Sequence, residues 1–411
     1  MTCFFHPFPP FAYSVISKFK KRVILLTNRK IPSEDSLYIH GVCERDTPCR
    51  PVSFPIYQTS TFENPGLSEK CPFSYTRCEN PTRLALEKTV AASEGGERCF
   101  AFSSGLSAIL AVFSTLSKGD HVVLSEDIYG GTYRLMNVIF KRFGVECTLA
   151  DFTNPEAVRD AVCGRTRLVF TETPTNPMCR VADIVECAKI AHQKGARLCV
   201  DNTFMTPYLQ KPLSLGADIV VHSGTKYLCG HNDTSAGFVV TNDEALSEEL
   251  AYISKTEGTA LSPFDSWLVL RGLKTLPLRI ARHEENAAAV FGWLKANRNV
   301  EAVCYAGDEN APSYDVMKKQ AKGFGSVISF RLKYTSLVES ILSGGDTIIF
   351  AESLGGVETL ITYPITQTHA TTPDELRRRL GIDEKLIRLS VGIEKVSDII
   401  ADLERALGAN I

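Results

Sequence analysis

Between Ser93 and Asn242 the chain alternates short apolar runs with helix-length stretches, and this alternation leaves few folds open to it. The runs at 98–102, 121–124, 167–170, 197–200, 218–221 and 237–240 have strand length and are bounded by Gly, Pro, Asp or Thr. Helical stretches separate them. One spans 106–116. Another spans 183–194, with Ile184, Ala188 and Ala191 on one face and Gly195 as its stop. Buried runs alternating with helices predict an α/β fold whose mostly parallel sheet is covered on both faces. Such sheets bind ligands beyond the carboxyl ends of their strands. Ser125, Glu172, Asp201 and Ser223 each follow a run directly, so the pattern puts them on one edge.

The rest of the chain divides around this core. A long helical stretch, 266–297, is interrupted near Pro277. Beyond about 302, a strand at 326–332 and helices at 372–380 and 397–407 predict a smaller α+β domain. Residues 47–83 are rich in proline and read as an extended arm. Residues 1–32 contain no acidic residue, and Pro7, Pro9, Pro10 and Lys18 break their apolar stretches. No stretch there is long enough for a signal-peptide core or a membrane span. We read the segment as a disordered extension or a start assigned too early; its arginine content is sparse for a transit peptide. The expected division is 1–32 extension, 33–77 arm, 78–277 cofactor-binding α/β domain and 278–411 C-terminal domain.

A net charge of -2 gives no electrostatic reason to expect nucleic acid or an anionic membrane as partner. The 13 cysteines form no CxxC pair and no Cys/His cluster at zinc spacing. They read as reduced thiols of a cytoplasmic protein without a metal.

The run Ser223-Gly224-Thr225-Lys226 sets one lysine among small hydroxyl residues just after a strand. Burial in a cleft there lowers the amine's pKa and makes it a nucleophile of the kind that forms a Schiff base with pyridoxal phosphate. A solvated loop lysine is the other reading. Phe102-Ser103-Ser104-Gly105-Leu106 leads from strand to helix, which suits an anion at the helix start or a plain cap. Asp201, in Val200-Asp201-Asn202-Thr203, can hold a protonated ring nitrogen or simply form a turn. Tyr129, beside Gly130 and Gly131, can stack on a flat ring or pack in the core. Arg388 sits in an apolar run and calls for an anion, either a substrate carboxylate or a structural partner. Tyr75 and Arg77 lie in the arm, where an arginine suits a phosphate. His231 and His369 have no partner at metal spacing and read as structural.

Together these segments resemble the PLP-dependent enzymes of cysteine and methionine metabolism. The resemblance covers Tyr75-Thr76-Arg77 with Asn80-Pro81-Thr82, Ser104-Gly105-Leu106, Tyr129-Gly130-Gly131-Thr132 and Glu172-Thr173-Pro174-Thr175-Asn176-Pro177. It continues through Val200-Asp201-Asn202-Thr203, residues 223–233, Ser353-Leu354-Gly355-Gly356 and Arg388-Leu389-Ser390-Val391-Gly392. It implies the aspartate-aminotransferase type of fold, with a mostly parallel seven-stranded sheet, and a homotetramer built as a dimer of dimers. It implies pyridoxal 5'-phosphate on Lys226, with Asp201 at the ring nitrogen, Tyr129 stacked on the ring, Thr203 beside it and Asn176 at the ring hydroxyl. It further implies a phosphate held by Gly105, Leu106, Ser223 and Thr225, joined by Tyr75 and Arg77 from the neighbouring subunit. The substrate α-carboxylate would lie on Arg388, Thr359 and Asn176.

Within the family, the glutamate of γ-acting members is matched to Glu358 in Gly355-Gly356-Val357-Glu358-Thr359, where β-lyases carry an aromatic. Arg134 matches an arginine of γ-synthases and γ-lyases. Gly131 stands where methionine γ-lyases often have cysteine. The expected activity is therefore that of a cystathionine γ-synthase: replacement at the γ carbon of an O-acyl-homoserine by cysteine or sulfide. The alternatives are a cystathionine γ-lyase or β-lyase and, further off, a methionine γ-lyase. A PLP-binding protein without catalysis is a reading of another class. A nucleotide-binding α/β protein would need a GxGxxG or GxxxxGK[ST] loop, and the chain has neither.

Overall fold

The computed structural model describes residues 33–42, 51–67, 71–343 and 345–408. The expected extension, 1–32, lies outside them. Seven strands form the central sheet: β1 (Arg98–Phe102), β2 (His121–Ser125), β3 (Glu146–Ala150), β4 (Thr166–Glu172), β5 (Arg197–Asp201), β6 (Ile219–Ser223) and β7 (Gly237–Thr241). Their order is β1-β7-β6-β5-β4-β2-β3. Only β7 runs antiparallel to its neighbours; the other pairings are parallel. The six runs read from the sequence are all strands. The seventh, β3, is an edge strand whose Glu146 is exposed and whose Cys147 and Leu149 are only partly buried, so it lacks a continuous apolar run.

Alternate residues of the strands feed two cores. Phe102, Leu124, Phe170, Val221 and Val239 pack on one face with Ile109 and Phe113 of the helix Gly105–Phe113. Val123, Val169, Leu198 and Val200 pack on the other with Ile184 and Ile190 of the helix Ile184–Gln193. Each such fully buried side chain contributes roughly 1.5–3 kcal/mol. Asp201 and Ser223 continue the first face, while Asn202 and His222 fall on the second.

The arm departs from the expected extended chain at its start, where Glu34–His40 is a helix. Leu37 and Tyr38 bury its inner face, and Glu34 pairs with Lys211 and Lys322. The helix Pro81–Glu94 follows the arm, capped by Asn80, whose side-chain oxygen accepts the Thr82 N–H at 2.9 Å. The interrupted helical stretch resolves into Pro263–Leu273 and Leu276–Ala296. Pro277 sits in the first turn of the second, where a missing N–H costs nothing. The smaller domain carries a five-stranded sheet, β10-β11-β12-β9-β8. Its strands are β8 (Val300–Cys304), β9 (Val327–Leu332), β10 (Ile349–Phe350), β11 (Leu360–Thr362) and β12 (Leu386–Ser390). Among the described residues no helix is long and apolar enough to cross a membrane, and no His/Cys/Asp/Glu group could hold a metal.

Candidate active site

The parallel strands β2, β4, β5 and β6 end on one edge, which brings Ser125, Glu172, Asp201 and Ser223 together as their positions in the chain imply. Beyond Ser223 the backbone turns to present Lys226, whose N–H donates to the Ser223 carbonyl at 3.2 Å. The next residues anchor that turn. The Tyr227 hydroxyl lies 2.8 Å from Ser326 Oγ, and Arg279 donates to the Tyr227 carbonyl at 2.7 Å. Gly230, at φ +76, leaves room for the Arg279 guanidinium, which a Cβ would meet at 2.0 Å. Lys226 Nζ donates to Ser353 Oγ at 3.1 Å. Burial first, and the Arg388 charge second, bring its pKa down to about 8, while the Glu352 carboxylate acts the other way.

An anion cradle adjoins the lysine. Ser104 caps the helix Gly105–Phe113 by accepting the Ser107 N–H at 3.1 Å. Its first residue lies directly on β6: a Cβ on Gly105 would stand 2.8 Å from Ser223 Cβ. Gly237 is equally constrained, since a Cβ there would lie 2.0 Å from the Ser104 carbonyl oxygen. The helix start, with Leu106, thus shares one corner with Ser223, and Thr225 accepts the Ala236 N–H at 3.0 Å close by. A helix start beside two hydroxyls fits a phosphate.

The opposite end of the site is acidic. Asp201 Oδ1 accepts the Thr203 N–H at 3.0 Å and its hydroxyl at 2.5 Å. The Thr203 hydroxyl oxygen in turn accepts the Ser223 N–H at 2.8 Å. Burial raises the Asp201 pKa despite these bonds. Glu172, its register partner on β4, is pushed well up by burial and then by the Asp201 charge. Asp127 is raised to about 6 by burial, and its Oδ1 has no partner. Three carboxyl groups at or just beyond neighbouring strand ends, Asp127 and Glu172 buried and Asp201 partly so, are well suited to a cationic ring nitrogen. The residues present therefore fit pyridoxal 5'-phosphate at both ends.

Tyr129 lies over Gly131, where a Cβ would meet its ring at 2.3 Å, and a Cβ on Gly130 would lie 2.6 Å from the Thr368 carbonyl oxygen. Asn176 Oδ1 accepts Arg388 Nη1 at 2.9 Å. Arg388 is 1% exposed, and Nη2 donates to the Ser353 carbonyl at 2.7 Å and to Thr362 Oγ1 at 2.9 Å. Its Nε has no partner, and burial brings its pKa down to about 10. Among the described residues no carboxylate pairs with it, which suits it to an incoming carboxylate. Arg134 is exposed and donates to Thr371 Oγ1 at 2.9 Å; its charge is felt at Tyr129. His369 is buried, and burial followed by the Arg388 charge lowers its pKa to about 4, so it is neutral.

Two residues expected at the substrate stand elsewhere. Glu358 accepts the Asn232 side-chain amide at 2.7 Å. Thr359 is fully buried, donates to Glu394 Oε2 at 2.8 Å and accepts the Gly392 N–H at 2.9 Å, so its hydroxyl is committed. Glu352 and Ser353 are the acid and hydroxyl nearest the cluster: the Glu352 charge acts on Lys226, Tyr129 and Arg388, and Ser353 bonds Lys226 and Arg388. Tyr75 and Arg77 do not join the cluster. Tyr75 is 45% exposed, the Arg77 guanidinium lies 5.4 Å from its ring centre, and Arg77 donates to the Lys255 carbonyl.

Comparison with known proteins agrees with this geometry. The profile of the family described as "Cys/Met metabolism PLP-dependent enzyme" matches residues 35–408. A cystathionine beta-lyase of Lactococcus lactis subsp. cremoris is 46% identical over 369 residues, 90% of this chain and 97% of that protein. A cystathionine gamma-synthase of Haemophilus influenzae is 45% identical over 356 residues, covering 86% and 92%. The crystal structure of cystathionine gamma-lyase from Lactobacillus plantarum complexed with L-serine superposes with a TM-score of 0.90 at 41% identity, over 92% of this chain and 99% of that one. With the motifs, the fold and a site built for the cofactor in agreement, the chain belongs to the PLP-dependent enzymes of Cys/Met metabolism and is a trans-sulfuration enzyme of the cystathionine synthase and lyase type.

Proposed function

We propose that this enzyme replaces the acyloxy group at the γ carbon of an O-acyl-homoserine with cysteine or sulfide, the γ-synthase reaction: a Cγ–S bond forms, the Cγ–O bond breaks and the acyl group leaves as its free carboxylate. The observation that carries γ chemistry is Glu352, an exposed carboxylate beside Ser353 whose charge acts on Lys226, Tyr129 and Arg388. A carboxylate there can meet the distal ammonium of cysteine. Support for replacement over cleavage comes from the stretches 129–135, 264–268 and 361–369, which look most like γ-synthases that also use sulfide. The cleavage of cystathionine is the second reading, because lyases and synthases resemble the chain to the same degree.

Bound in the site, pyridoxal 5'-phosphate supplies an electron sink that acidifies the substrate's α and β protons. The residues do the rest. Arg388 and Asn176 hold the α-carboxylate. Lys226, whose pKa of about 8 leaves part of it neutral near pH 7, accepts the α proton at Nζ and moves a proton at the β carbon. Ser353 aims that amine. Tyr129 covers the ring face and excludes water. We also infer a homotetramer in which Tyr75 and Arg77 complete the neighbour's phosphate site; their exposure and mutual stacking support it.

Product analysis tests the reading. Formation of cystathionine from O-acetylhomoserine and cysteine, with little breakdown of cystathionine alone, is the expected result; rapid breakdown makes the enzyme a lyase. Glu352→Gln adds a sharper test. It should lower kcat/KM for cysteine by about tenfold, the worth of one charge-assisted contact, and leave sulfide unaffected, since sulfide has no ammonium group. Equal losses with both nucleophiles would remove Glu352 from the nucleophile site.

A further inference from the structure

We propose that Glu172 is a positioning residue for the cofactor: its carboxylate ties the turns carrying Tyr129 and Asn176 to the strand end beside Asp201, and it adds a second negative charge where the ring nitrogen lies. The inference rests on the reading of Tyr129, Asn176 and Asp201 as the residues around the ring.

Glu172 is the last residue of β4 and is buried. Its two oxygens do different work. Oε1 accepts the Asn176 N–H at 2.7 Å, and Oε2 accepts the Tyr129 N–H at 3.3 Å. One side chain thereby joins a turn 43 residues upstream to the loop just downstream, both of which carry side chains into the site. An ionised carboxylate does this with both oxygens accepting; an amide has one acceptor only and would turn its NH2 toward the second N–H.

The charge has a separate role. In register, Glu172 stands directly across from Asp201 on β5. The other charged or titratable groups facing it are Asp127 beyond β2, Arg388 on β12 and the Tyr129 hydroxyl. Two adjacent buried carboxylates repel each other, and burial and the Asp201 charge both penalise the ionised Glu172. A chain selected for stability alone has no use for that arrangement. A cation between or beside the two carboxyl groups removes the penalty, and the protonated ring nitrogen is such a cation. Loss of the Glu172 charge should therefore weaken cofactor retention and lower the proton affinity of the bound cofactor.

Glu172→Gln in the full-length holoenzyme tests this. Three quantities would be read: cofactor release on dilution, the pH titration of the visible absorbance, and the thermal stabilisation gained from excess pyridoxal 5'-phosphate. We expect release to be about tenfold more favourable, the order seen when residues that orient a ligand's direct partners are replaced. The absorbance midpoint should move to lower pH, because a lost negative charge disfavours the protonated form. The thermal gain should shrink. Unchanged release and an unchanged midpoint would overturn the proposal. So would a variant that melts earlier by the same amount with and without excess cofactor, since that marks a purely structural role. Asp201→Asn carried in parallel separates these outcomes from an error in the underlying reading: if Asp201 does not face the ring nitrogen, that variant too leaves the absorbance midpoint unmoved, whereas a shift in Asp201→Asn with none in Glu172→Gln overturns the role of Glu172 alone. Should Glu172→Gln fold poorly, Glu172→Asp keeps the charge but shortens the reach; a normal midpoint with faster release is then expected, and a shifted midpoint would count against the charge role.

Discussion

Replacing Lys226 with methionine should stabilise the cofactor-stripped protein, and by an amount that depends on pH. The amine's pKa falls from its ordinary 10.5 to about 8 in the folded chain. At about 1.4 kcal/mol per pH unit, that gap corresponds to roughly 3 kcal/mol. The sign follows from where the proton sits. Below pH 8 both folded and unfolded chains hold it, and the folded chain carries the charge in a poorly hydrated place, which costs stability. Between about 8 and 10.5 the folded chain has released the proton and the unfolded chain has not, so stability climbs with pH. Methionine keeps the length and removes the charge. The variant should exceed wild type by up to about 3 kcal/mol at pH 7, a ceiling because Lys226 retains some contact with water, and the gap should close toward pH 10. Denaturant unfolding of both proteins at a fixed chain concentration measures it, since every other titrating group cancels in the difference. A gap that stays constant from pH 7 to 10 would refute the reasoning, whatever its size.

Other perturbations have equally definite outcomes. Gly105→Ala puts a Cβ 2.8 Å from Ser223 Cβ and 3.0 Å from its Cα, so the helix start must move off β6; we expect a loss of about 1–3 kcal/mol in stability together with weaker phosphate retention, read by melting and by cofactor saturation. Arg388→Lys keeps a charge but cannot reach Asn176, Ser353 and Thr362 together; KM for the amino-acid substrate should rise about 10–100-fold, a loss of roughly 1.4–3 kcal/mol, with kcat less affected, as steady-state kinetics would show. Arg388→Met removes the charge that helps to depress Lys226, so the acidic limb of the pH–rate profile should move to higher pH. Glu94→Ala removes a fully buried oxygen that lies 2.6 Å from His222 Nε2 and accepts the Asn202 amide at 2.9 Å, and should cost about 1–3 kcal/mol in denaturant unfolding for each group left without a partner.

Much of the site was legible because the chemistry sits where the strand pattern says it must. Lys226, Asp201, Ser223 and Glu172 each follow an apolar run, and parallel strands end on one edge. What escaped depended on which way a turn faces. The chain carries two acid–hydroxyl pairs, Glu352-Ser353 and Glu358-Thr359, on either side of Gly355-Gly356. Composition cannot tell them apart. The turn decides: Gly355, at φ +74, packs against Tyr227, which sends Ser353 toward Lys226 and leaves Glu358 to Asn232. Asp127 escaped for a related reason, since nothing in Ser125-Glu126-Asp127 signals that the third residue is buried and Glu126 is paired with Arg180 and Arg379. The edge strand β3 was lost because half of it meets water.

The charges of the cleft fix how the cofactor must lie. Asp127, Glu172 and Asp201 crowd one end, and burial raises the pKa of each. Lys226 and Arg388, the latter on β12 of the smaller domain, meet at Ser353, and burial lowers both. The helix start at Gly105 lies against Ser223, which the Thr203 hydroxyl separates from the acidic end. Each of these groups is less comfortable in the bare fold than in water, and each is relieved by a different part of one molecule. Carboxylates at the acidic end would hold a proton on a ring nitrogen there, which is what the cofactor's electron-sink chemistry needs. A phosphate placed there instead would meet three carboxylates, a repulsion of several kcal/mol in so poorly hydrated a place. On our proposal one orientation satisfies both ends at once, with Lys226 serving the reacting carbon and Arg388 the substrate carboxylate. On this reading the specificity of binding and the direction of the chemistry share one origin: the charges that strand ends and one helix start gather around Lys226.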